Sequence, residues 1–300
     1  MSDLREIISV GIDIGTTTTQ IVFSKLVIGN VARPGQIPRL GVQGRSVLYE
    51  SPIYFTPLIN PQTVDRNSLT DIVYQEYRAA KIDPNQVESG AVIITGEIAR
   101  TQNANEILEA IASLAGDFVV TVAGPNLEAQ IAGRGSGAAA YSFSHYSQVT
   151  NVDIGGGTSN AAVFRNGMHI GSSAVAVGGR HLIIEGTSSI VRHIAPGGKI
   201  IIQQLGLPIY EGKRVDLDVL TQFCDCMANV IVDLILGVET TLTKKLQLSS
   251  PLKFTEPSPV IFISGGVGKY FYEPIEIHSI ADVFLHGDVG PLLAQSLRLN

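Results

Sequence analysis

The apolar positions of the first 130 residues alternate between short runs typical of strands and spaced stripes typical of helices. Strands are predicted at Ile8–Ile14, Gln20–Leu26, Ala91–Thr95 and Phe118–Val122. Helices are predicted from about Asn67 to Lys81, from Asn105 to Leu114 and from Asn126 to Ala132. The first helix opens with Ser68 and Asp71 at the spacing of a capping box. This alternation of strands and helices predicts an α/β fold.

The second half of the chain shows the same mixture of patterns. Strand-like runs at Ala161–Arg165 and Met168–Ser172 flank Asn166-Gly167, and an Asn-Gly pair between such runs strongly predicts a hairpin. From Leu217 to about Leu246, apolar residues recur at i, i+3 and i+4, which predicts one long amphipathic helix. Val260–Ser264 is predicted to be a buried strand.

A chain of 300 residues is longer than a typical single domain. The recurrence of one motif far apart in the chain predicts two lobes, each a mixed sheet with flanking helices. We place the boundary near residue 148, which gives lobes of residues 1–148 and 149–300. A segment rich in Gly and Pro at about 27–62 is predicted to be an insertion or an irregular sheet edge in the first lobe.

The motif that recurs is a short loop of glycine and threonine that follows an apolar run. Its copies, Gly11–Thr19 and Asn151–Ser159, match at Asp13/Asp153, Ile14/Ile154, Gly15/Gly155 and Thr18/Thr158. One copy alone would more often be an ordinary hairpin turn than a binding loop. A turn needs no carboxylate, however, so two copies that share an aspartate favour a binding function.

These residue types suit a phosphorylated ligand. Glycines such as Gly15 and Gly155–Gly157 let backbone N–H groups approach phosphate oxygens, because no Cβ stands in the way. Asp13 and Asp153 supply the hard oxygen ligands that Mg²⁺ prefers. We therefore expect the two hairpins to hold a nucleotide triphosphate and its metal ion from two sides of a cleft.

Composition excludes several classes of partner. The net charge of −6 and the pI of about 5.5 argue against nucleic-acid binding. No segment approaches the roughly 18 uninterrupted apolar residues of a membrane span, so no membrane partner is expected. The N-terminus has no basic region before an apolar core, and Cys224 and Cys226 are too close together to join distant segments. A reducing cytoplasm is therefore expected.

Other motifs are less specific. Glu128 follows a predicted strand at a helix start, where it either complements the helix dipole or orients the water that attacks a γ-phosphate. Thr95-Gly96 is either a strand-end turn or part of the cleft. The run Gly265–Lys269 is not a P-loop, because Ile263 and Tyr270 stand where that motif needs Gly and Ser or Thr. Cys224 lies on the apolar stripe of the long helix and is predicted to be core, and no histidine is assigned to a metal.

Three segments resemble the phosphate-1, phosphate-2 and adenosine motifs of the actin/Hsp70/sugar-kinase ATPases, in the same order: Asp13–Thr19, Asp153–Asn160 and Ser264–Gly268. Within that superfamily, the chain is similar over its whole length to the ethanolamine ammonia-lyase reactivating factors. The segments that carry this similarity are Ile8–Phe23, Ser51–Leu58 and Gly124–Gly137. Members of this family run on well past Asn300, so the second lobe is expected to be truncated at its C-terminus.

The resemblance implies a two-lobed actin-like (ribonuclease H-like) ATPase fold with ATP and Mg²⁺ as cofactors. It implies a weak ATPase that acts as a cytoplasmic chaperone associated with a bacterial microcompartment. Its partner would be adenosylcobalamin-dependent ethanolamine ammonia-lyase, from which it releases damaged cobalamin so that intact cofactor can rebind. Closure of the two lobes on the nucleotide would drive this release.

The resemblance also implies a role for each residue of the motifs. Asp13 and Asp153 would hold Mg²⁺, and Glu128 and Asp153 would act in catalysis, with Glu128 near the attacking water. Contacts to the nucleotide are implied for ten residues: Gly15, Thr16, Thr17, Thr18, Gly155, Gly156, Gly157 and Thr158 at the phosphates, and Gly265 and Gly266 at the adenosine end.

Two alternatives share this fold. A small-molecule kinase would need a base carboxylate beside an acceptor pocket, for which Glu128 is a weak candidate. An actin-like filament or scaffold ATPase would assemble in a nucleotide-dependent way.

Overall fold

A computed structural model describes residues 4–15, 18–32, 35–60, 63–95, 104–112, 117–122, 124–185, 188–253, 256–283 and 287–300. The chain divides into two compact units, residues 1–123 and 124–300. Each unit contains a mixed sheet and helices, so the predicted α/β class is confirmed. The division falls earlier than residue 148 because the two helices before that position pack on strands of the second unit.

The first unit is built on one sheet in the order β3-β2-β1-β7-β8, with β4 also paired to β2. Strand β1 is antiparallel to β2 and parallel to β7, and β7 is parallel to β8. Its strands are β1 (Arg5–Ile14), β2 (Thr18–Asn30), β3 (Leu40–Glu50), β4 (Tyr54–Phe55), β5 (Leu58–Asn60), β6 (Thr63–Val64), β7 (Val87–Ile94) and β8 (Asp117–Val122). Its helices are α1 (Arg66–Ala80) and α2 (Ala104–Ala112), and a 3-10 helix spans Pro84–Gln86.

Within the glycine-rich segment, residues 40–50 form the edge strand β3. It pairs with β2 through two register shifts, between Phe23 and Ser24 and between Val27 and Ile28. The core of this unit lies on one face of the sheet, where alternate residues of β1, β2 and β7 meet α1 and α2. Its fully buried side chains include Ile12, Ile14, Ile21, Phe23, Leu69, Val73, Val92, Ile94 and Ile107.

Helix α1 begins earlier than predicted, and the assignment of its capping residue was wrong. Asp65 is the N-cap, and its side chain accepts hydrogen bonds from the backbone N–H groups of Asn67 and Ser68. The Ser68 hydroxyl donates to Asp65 at 2.7 Å. Ser68 therefore supports an aspartate cap instead of forming the cap itself, because an acceptor three residues earlier already satisfies the helix N-terminus.

The second unit contains a sheet in the order β11-β10-β9-β14, in which β14 is parallel to β9 and the other pairs are antiparallel. Its strands are β9 (Gln148–Ile154), β10 (Ser159–Arg165), β11 (Met168–Val175), β12 (Leu182–Glu185), β13 (Ile190–Ile194) and β14 (Val260–Ser264). Its helices are α3 (Pro125–Gly135), α4 (Ala138–Ser144), α5 (Pro196–Leu205), α6 (Leu217–Leu236), α7 (Thr241–Leu246), α8 (Gly265–Tyr272), α9 (Ile280–Val283) and α10 (Gly290–Leu299).

The hairpin predicted at Asn166-Gly167 is confirmed. Asn166 and Gly167 have positive φ angles of 51° and 78°. The two-residue turn whose twist matches that of the flanking strands requires positive φ at both positions. The turn joins β10 to β11, so the second sheet begins with three sequential antiparallel strands.

Helices cover both faces of the second sheet. Helices α3 and α4 pack on one face, where Ala129, Ala138 and Phe164 are buried. Helix α6 packs on the other face, and its Phe223 and Met227 are fully buried there. Cys224 is also fully buried, which confirms its predicted place in the core. Among the described residues, α6 alone is long and apolar enough to span a membrane by composition, and its apolar stripe lies in this core.

The single long helix predicted from Leu217 to Leu246 was wrong, because the chain forms two helices there. Helix α6 ends at Leu236, and the next residue, Gly237, adopts the left-handed conformation with φ 67°. Helix α7 begins after Thr240, which forms a capping box with Thr243. A left-handed glycine ends a helix and a threonine cap starts the next, although the apolar spacing continues across both.

Candidate functional site

The two glycine-threonine hairpins share the register of their flanking strands and the backbone hydrogen bond that closes each turn. In the first hairpin Asp13 pairs with Gln20, and the amide of Gly15 donates to the carbonyl of Thr18 at 2.8 Å. In the second hairpin Asp153 pairs with Asn160, and the Gly155 amide donates to the Thr158 carbonyl at 3.0 Å. The internal repeat predicted from the sequence is thus confirmed at the level of strand register and turn closure.

Threonines support the first turn. Thr56 Oγ1 donates to the carbonyl of Gly15 at 2.8 Å and shares a hydrogen bond with the buried hydroxyl of Thr19 at 3.0 Å. The amide of Thr95, just past β7, donates to the carbonyl of Ile14 at 3.0 Å. A Cβ at Gly15 would lie 3.1 Å from the Thr18 carbonyl oxygen, so glycine suits this tight turn.

Asp13 is exposed and lies on the sheet face opposite the buried Ile12 and Ile14. Thr18 is the first residue of β2 and is partly exposed. Thr16, Thr17 and Gly96 lie outside the described residues, so their predicted roles stay predictions.

A third segment, which the sequence analysis missed, braces the second turn. The amide of Gly179 donates to the carbonyl of Gly155 at 3.0 Å, and the amide of Arg180 donates to the carbonyl of Gly156 at 2.7 Å. A Cβ on Gly178 would stand 2.5 Å from the Gly156 carbonyl oxygen, so only glycine fits there. The doublet Gly178-Gly179 after β11 is the sequence signal that could have revealed this segment.

The same segment is attached to the start of α10. Arg180 Nε lies 3.2 Å from Asp288 Oδ2, with both side chains almost buried. The amide of Val289 donates to the carbonyl of Gly179 at 3.0 Å, and the amide of Gly290 donates to Asp288 Oδ1 at 2.9 Å. The position of the second turn therefore depends on residues more than a hundred positions later in the chain.

A side chain on the neighbouring strand β14 forms a hydrogen bond with Asp153. Ser264 is opposite Asp153 in the parallel register, and its hydroxyl donates to Asp153 Oδ1 at 2.8 Å. Asn151 Nδ2 donates to the same hydroxyl at 3.0 Å. Burial raises the pKa of the Asp153 carboxyl, and the hydrogen bond from Ser264 lowers it by less.

The glycines of the predicted adenosine motif lie next to the second turn. Gly265 has φ +80°, and a Cβ there would lie 2.5 Å from the carbonyl oxygen of Ile154, the residue before Gly155. Gly266 follows in the first turn of α8, where backbone N–H groups have no helical partner and suit an anion. The structure thus brings Gly155–Gly157 and Gly265–Gly266 together at one end of the second sheet.

Two glycines at this end of the sheet have open space beside them. Cβ atoms built on Gly157 and Gly266 would meet no protein atom within 4 Å, so both backbones can be approached closely. Thr158 is partly exposed, and its Oγ1 accepts a hydrogen bond from Asn160 Nδ2 at 3.3 Å. Exposed glycine backbone, a hydroxyl and a carboxylate are the groups that a magnesium-bound polyphosphate requires.

Glu128 lies in the first turn of α3, which begins at Pro125 after the N-cap Gly124. The helix packs on the second sheet at Gly133, where a Cβ would lie 2.3 Å from the Phe164 ring and 3.4 Å from Asn151 Cβ. Asn151 and Asp153 are two residues apart on β9 and point to the same face. Helix α3, which carries Glu128, therefore packs on the face of the sheet to which Asp153 points.

The profile of a family described as ethanolamine utilisation protein EutA matches residues 5–300. The ethanolamine ammonia-lyase reactivase EutA of Escherichia coli (strain K12) is 39% identical over 294 residues, 98% of this chain and 62% of that protein. The reactivase EutA of Salmonella typhimurium (strain LT2) is 40% identical over 295 residues, again 98% of this chain and 62% of that protein. The chain thus spans less than two thirds of the length of these relatives.

Solved structures give more distant likenesses. Ethanolamine utilization protein EutJ from Carboxydothermus hydrogenoformans has 18% identity and a TM-score of 0.44, over 97% of this chain and 88% of that one. MreB 5 of Spiroplasma citri bound to AMPPNP has 14% identity and a TM-score of 0.42, over 97% and 95%. The sequence profile and the two curated relatives, together with the duplicated hairpins, confirm the resemblance found in the sequence: the chain belongs to the ethanolamine utilisation protein EutA family.

Proposed function

We propose that this chain is the nucleotide-binding part of an ATP-dependent reactivating chaperone for adenosylcobalamin-dependent ethanolamine ammonia-lyase. It would release damaged cobalamin from the lyase so that intact cofactor can rebind. The observation that carries the proposal is the meeting of Gly155–Gly157, Gly265–Gly266 and Asp153 at one end of the second sheet. The reactivase name of relatives about 40% identical supplies the partner.

In this proposal the chain supplies backbone amides and hydroxyls to the phosphates and carboxylates to the metal. Gly155–Gly157 and Thr158 bind phosphate oxygens in the second unit, and Gly15 with Thr16–Thr18 does so in the first. Gly265 and Gly266 approach the adenosine end. Asp13 and Asp153 would hold Mg²⁺ directly or through water, and this ion would supply positive charge beside the phosphates.

Glu128 is proposed to orient the water that attacks the γ-phosphate. Its support is its place in the first turn of α3, the helix that packs on the face of the second sheet to which Asp153 points. A carboxylate in that turn also complements the helix dipole, but this contributes only about 0.3–1 kcal/mol, so its removal should affect turnover more than stability.

The proposed cycle is slow. Binding and hydrolysis of ATP would alter the surface that contacts the lyase. The nucleotide would therefore act as a conformational switch and would not transfer a phosphoryl group to a substrate. The proposed location is the cytoplasm, in association with a bacterial microcompartment, as ethanolamine utilisation implies for the family.

The test measures ATP hydrolysis and cobalamin release from inactivated ethanolamine ammonia-lyase, with the chain carrying Asp153→Asn. We expect both activities to fall at least tenfold. Asp218→Asn is the matched control, because Asp218 is an exposed aspartate in the first turn of α6. Unchanged activities in Asp153→Asn would contradict the metal role.

Two further measurements, phosphate release with and without an acceptor and sedimentation with MgATP, separate the alternatives. Phosphate release that needs an added small-molecule acceptor would favour a kinase. Sedimentation that depends on MgATP would favour a filament-forming ATPase. The reactivase should release phosphate without an acceptor and should stay in the supernatant.

A further inference from the structure

Ser264 occupies the N-cap position of α8 but does not cap the helix. An N-cap serine normally accepts a hydrogen bond from the second or third amide of its own helix. The Ser264 side chain makes no such bond. Its hydroxyl instead crosses from β14 to β9 and donates to Asp153 Oδ1 at 2.8 Å. The usual local bond is thus replaced by a bond to a residue 111 positions away in the chain.

Asn151 fixes the direction of that bond. A hydroxyl has one proton, and Asn151 Nδ2 donates to Ser264 Oγ at 3.0 Å. The oxygen therefore acts as an acceptor toward Asn151, and its proton is directed to the Asp153 carboxylate. Asn151 is fully buried, and a Cβ at Gly133 on α3 would lie 3.4 Å from Asn151 Cβ, so packing holds the amide in place.

We propose that Ser264 is a positioning residue for the magnesium-binding carboxylate Asp153. By holding Oδ1, Ser264 fixes the carboxylate plane and leaves Oδ2 as the oxygen for Mg²⁺ or its water. Because Gly265 and Gly266 follow directly, the same serine keeps the adenosine glycines in register with the metal acid. This inference rests on the proposed nucleotide site and gives a role to Ser264, the first residue of the adenosine motif, to which the sequence analysis assigned none.

A second consequence concerns the start of α8. Since the serine does not cap, none of the first amides of this helix is bound by its side chain. These N–H groups stay directed outward from the helix start, where Gly266 has open space beside it. One side chain thereby orients the carboxylate and also leaves the helix N-terminus accessible.

The test uses an isosteric pair of variants, Ser264→Thr and Ser264→Val, with Ser264→Ala as a third. Threonine and valine have the same shape, but only threonine keeps the hydroxyl. The readout is binding of AMPPNP by calorimetry over a range of Mg²⁺ concentrations and in EDTA, together with the unfolding temperature. We expect Ser264→Val and Ser264→Ala to raise the Mg²⁺ concentration needed for half-maximal binding about tenfold. Ser264→Thr should stay within about threefold of the original.

Ser258→Ala is the matched control. Ser258 lies just before β14, and its hydroxyl accepts a hydrogen bond from Thr150 Oγ1 on β9 at 2.6 Å. It is therefore a buried hydroxyl that joins the same two segments but touches no carboxylate. We expect this variant to lose thermal stability without any change in its Mg²⁺ requirement.

Different results would contradict the positioning role of Ser264 and the proposed nucleotide-binding function. Equal Mg²⁺ requirements in Ser264→Thr and Ser264→Val would overturn the positioning role while leaving the nucleotide site intact. A comparable rise in Ser258→Ala would also overturn it, since general loosening of the strand pair would then explain the effect. Absence of AMPPNP binding by the unmodified chain, with or without Mg²⁺, would instead overturn the proposed function.

Discussion

Arg180 and Asp288 form an almost buried ion pair, with Nε and Oδ2 3.2 Å apart. Arg180 belongs to the segment whose amides bind the carbonyls of the second glycine turn, and Asp288 lies just before α10. The pair therefore joins the backbone of the candidate phosphate site to the end of the described chain.

Asp288→Asn should destabilise the protein by about 3 kcal/mol, because the substitution leaves a buried guanidinium without its counter-charge. The measurement is the free energy of unfolding in urea. Glu185→Gln is the control, since it breaks the exposed ion pair between Glu185 and Arg192 and should leave the unfolding midpoint almost unchanged. Similar losses in the two variants would show that burial of the Arg180–Asp288 pair has no special effect.

Asp153→Asn should stabilise the protein in the absence of ligand, with a rise in unfolding temperature of about 2 °C at pH 7.5. Burial raises the pKa of the Asp153 carboxyl, so the folded state binds this proton more tightly than the unfolded state does. The ionised group therefore lowers stability as the pH rises, and the gain should disappear at low pH, where the carboxyl is protonated. MgATP should raise the unfolding temperature of the original chain more than that of the variant. A lower unfolding temperature of ligand-free Asp153→Asn at pH 7.5 would contradict the prediction.

Gly265→Ala and Gly266→Ala should separate folding from binding. Gly265 has φ +80°, and its Cβ would lie 2.5 Å from the Ile154 carbonyl, so the alanine should cost about 2–4 kcal/mol of stability. Gly266 lies in a helix, and a Cβ there would stand in open space. Because alanine favours the helix more than glycine does, Gly266→Ala should raise the free energy of unfolding by up to about 1 kcal/mol. Gly266→Ala should therefore fold well but bind AMPPNP about tenfold more weakly, because the methyl group occupies the space for the ligand. Urea unfolding and calorimetry test the two effects, and normal affinity in Gly266→Ala would place the ligand elsewhere.

His181 should make the protein sensitive to acid. Burial lowers its pKa to about 4, and its hydrogen bond to the Ala176 carbonyl, at 2.7 Å, opposes this shift only in part. Between the ordinary pKa of about 6.5 and this value, the unfolded chain binds a proton that the folded chain does not, so stability falls as the pH falls. The loss from this residue between pH 7.5 and pH 5 should be about 2 kcal/mol.

His181→Gln should reduce that loss, because glutamine keeps an N–H donor but does not titrate. Urea unfolding of the ligand-free protein at the two pH values measures the difference. The exposed His193 is the comparison residue, and His193→Gln should retain most of the acid sensitivity. Equal acid sensitivity in His181→Gln and the original chain would assign the effect to other groups.

The parts of the structure that local sequence determines were predictable. The positions of β1, β10 and β14 follow from short apolar runs, and the turn at Asn166-Gly167 follows from the backbone preferences of two adjacent residues. The paired aspartates were identified because a strand-turn-strand unit keeps its register when it is repeated. Local chemistry was enough for these features.

The parts that depend on distant contacts were not predictable in the same way. In the sequence Ser264 is the last residue of a predicted strand, and only its contact with Asp153 reveals a role at the site. Gly178 reads as an ordinary loop residue until the Gly156 carbonyl is found against it. The break at Gly237 was missed for a different reason, because apolar periodicity was given more weight than a local stop signal.

Both glycine turns close through a backbone bond between their first and fourth residues, Gly15 to Thr18 and Gly155 to Thr158. The sequence places two threonines inside the first turn and two glycines inside the second. The closing bond makes no demand on the side chains of these inner positions. The two copies thus share one closing bond but differ in chemistry between its ends, where the sequence has hydroxyl-bearing residues in one copy and glycines in the other.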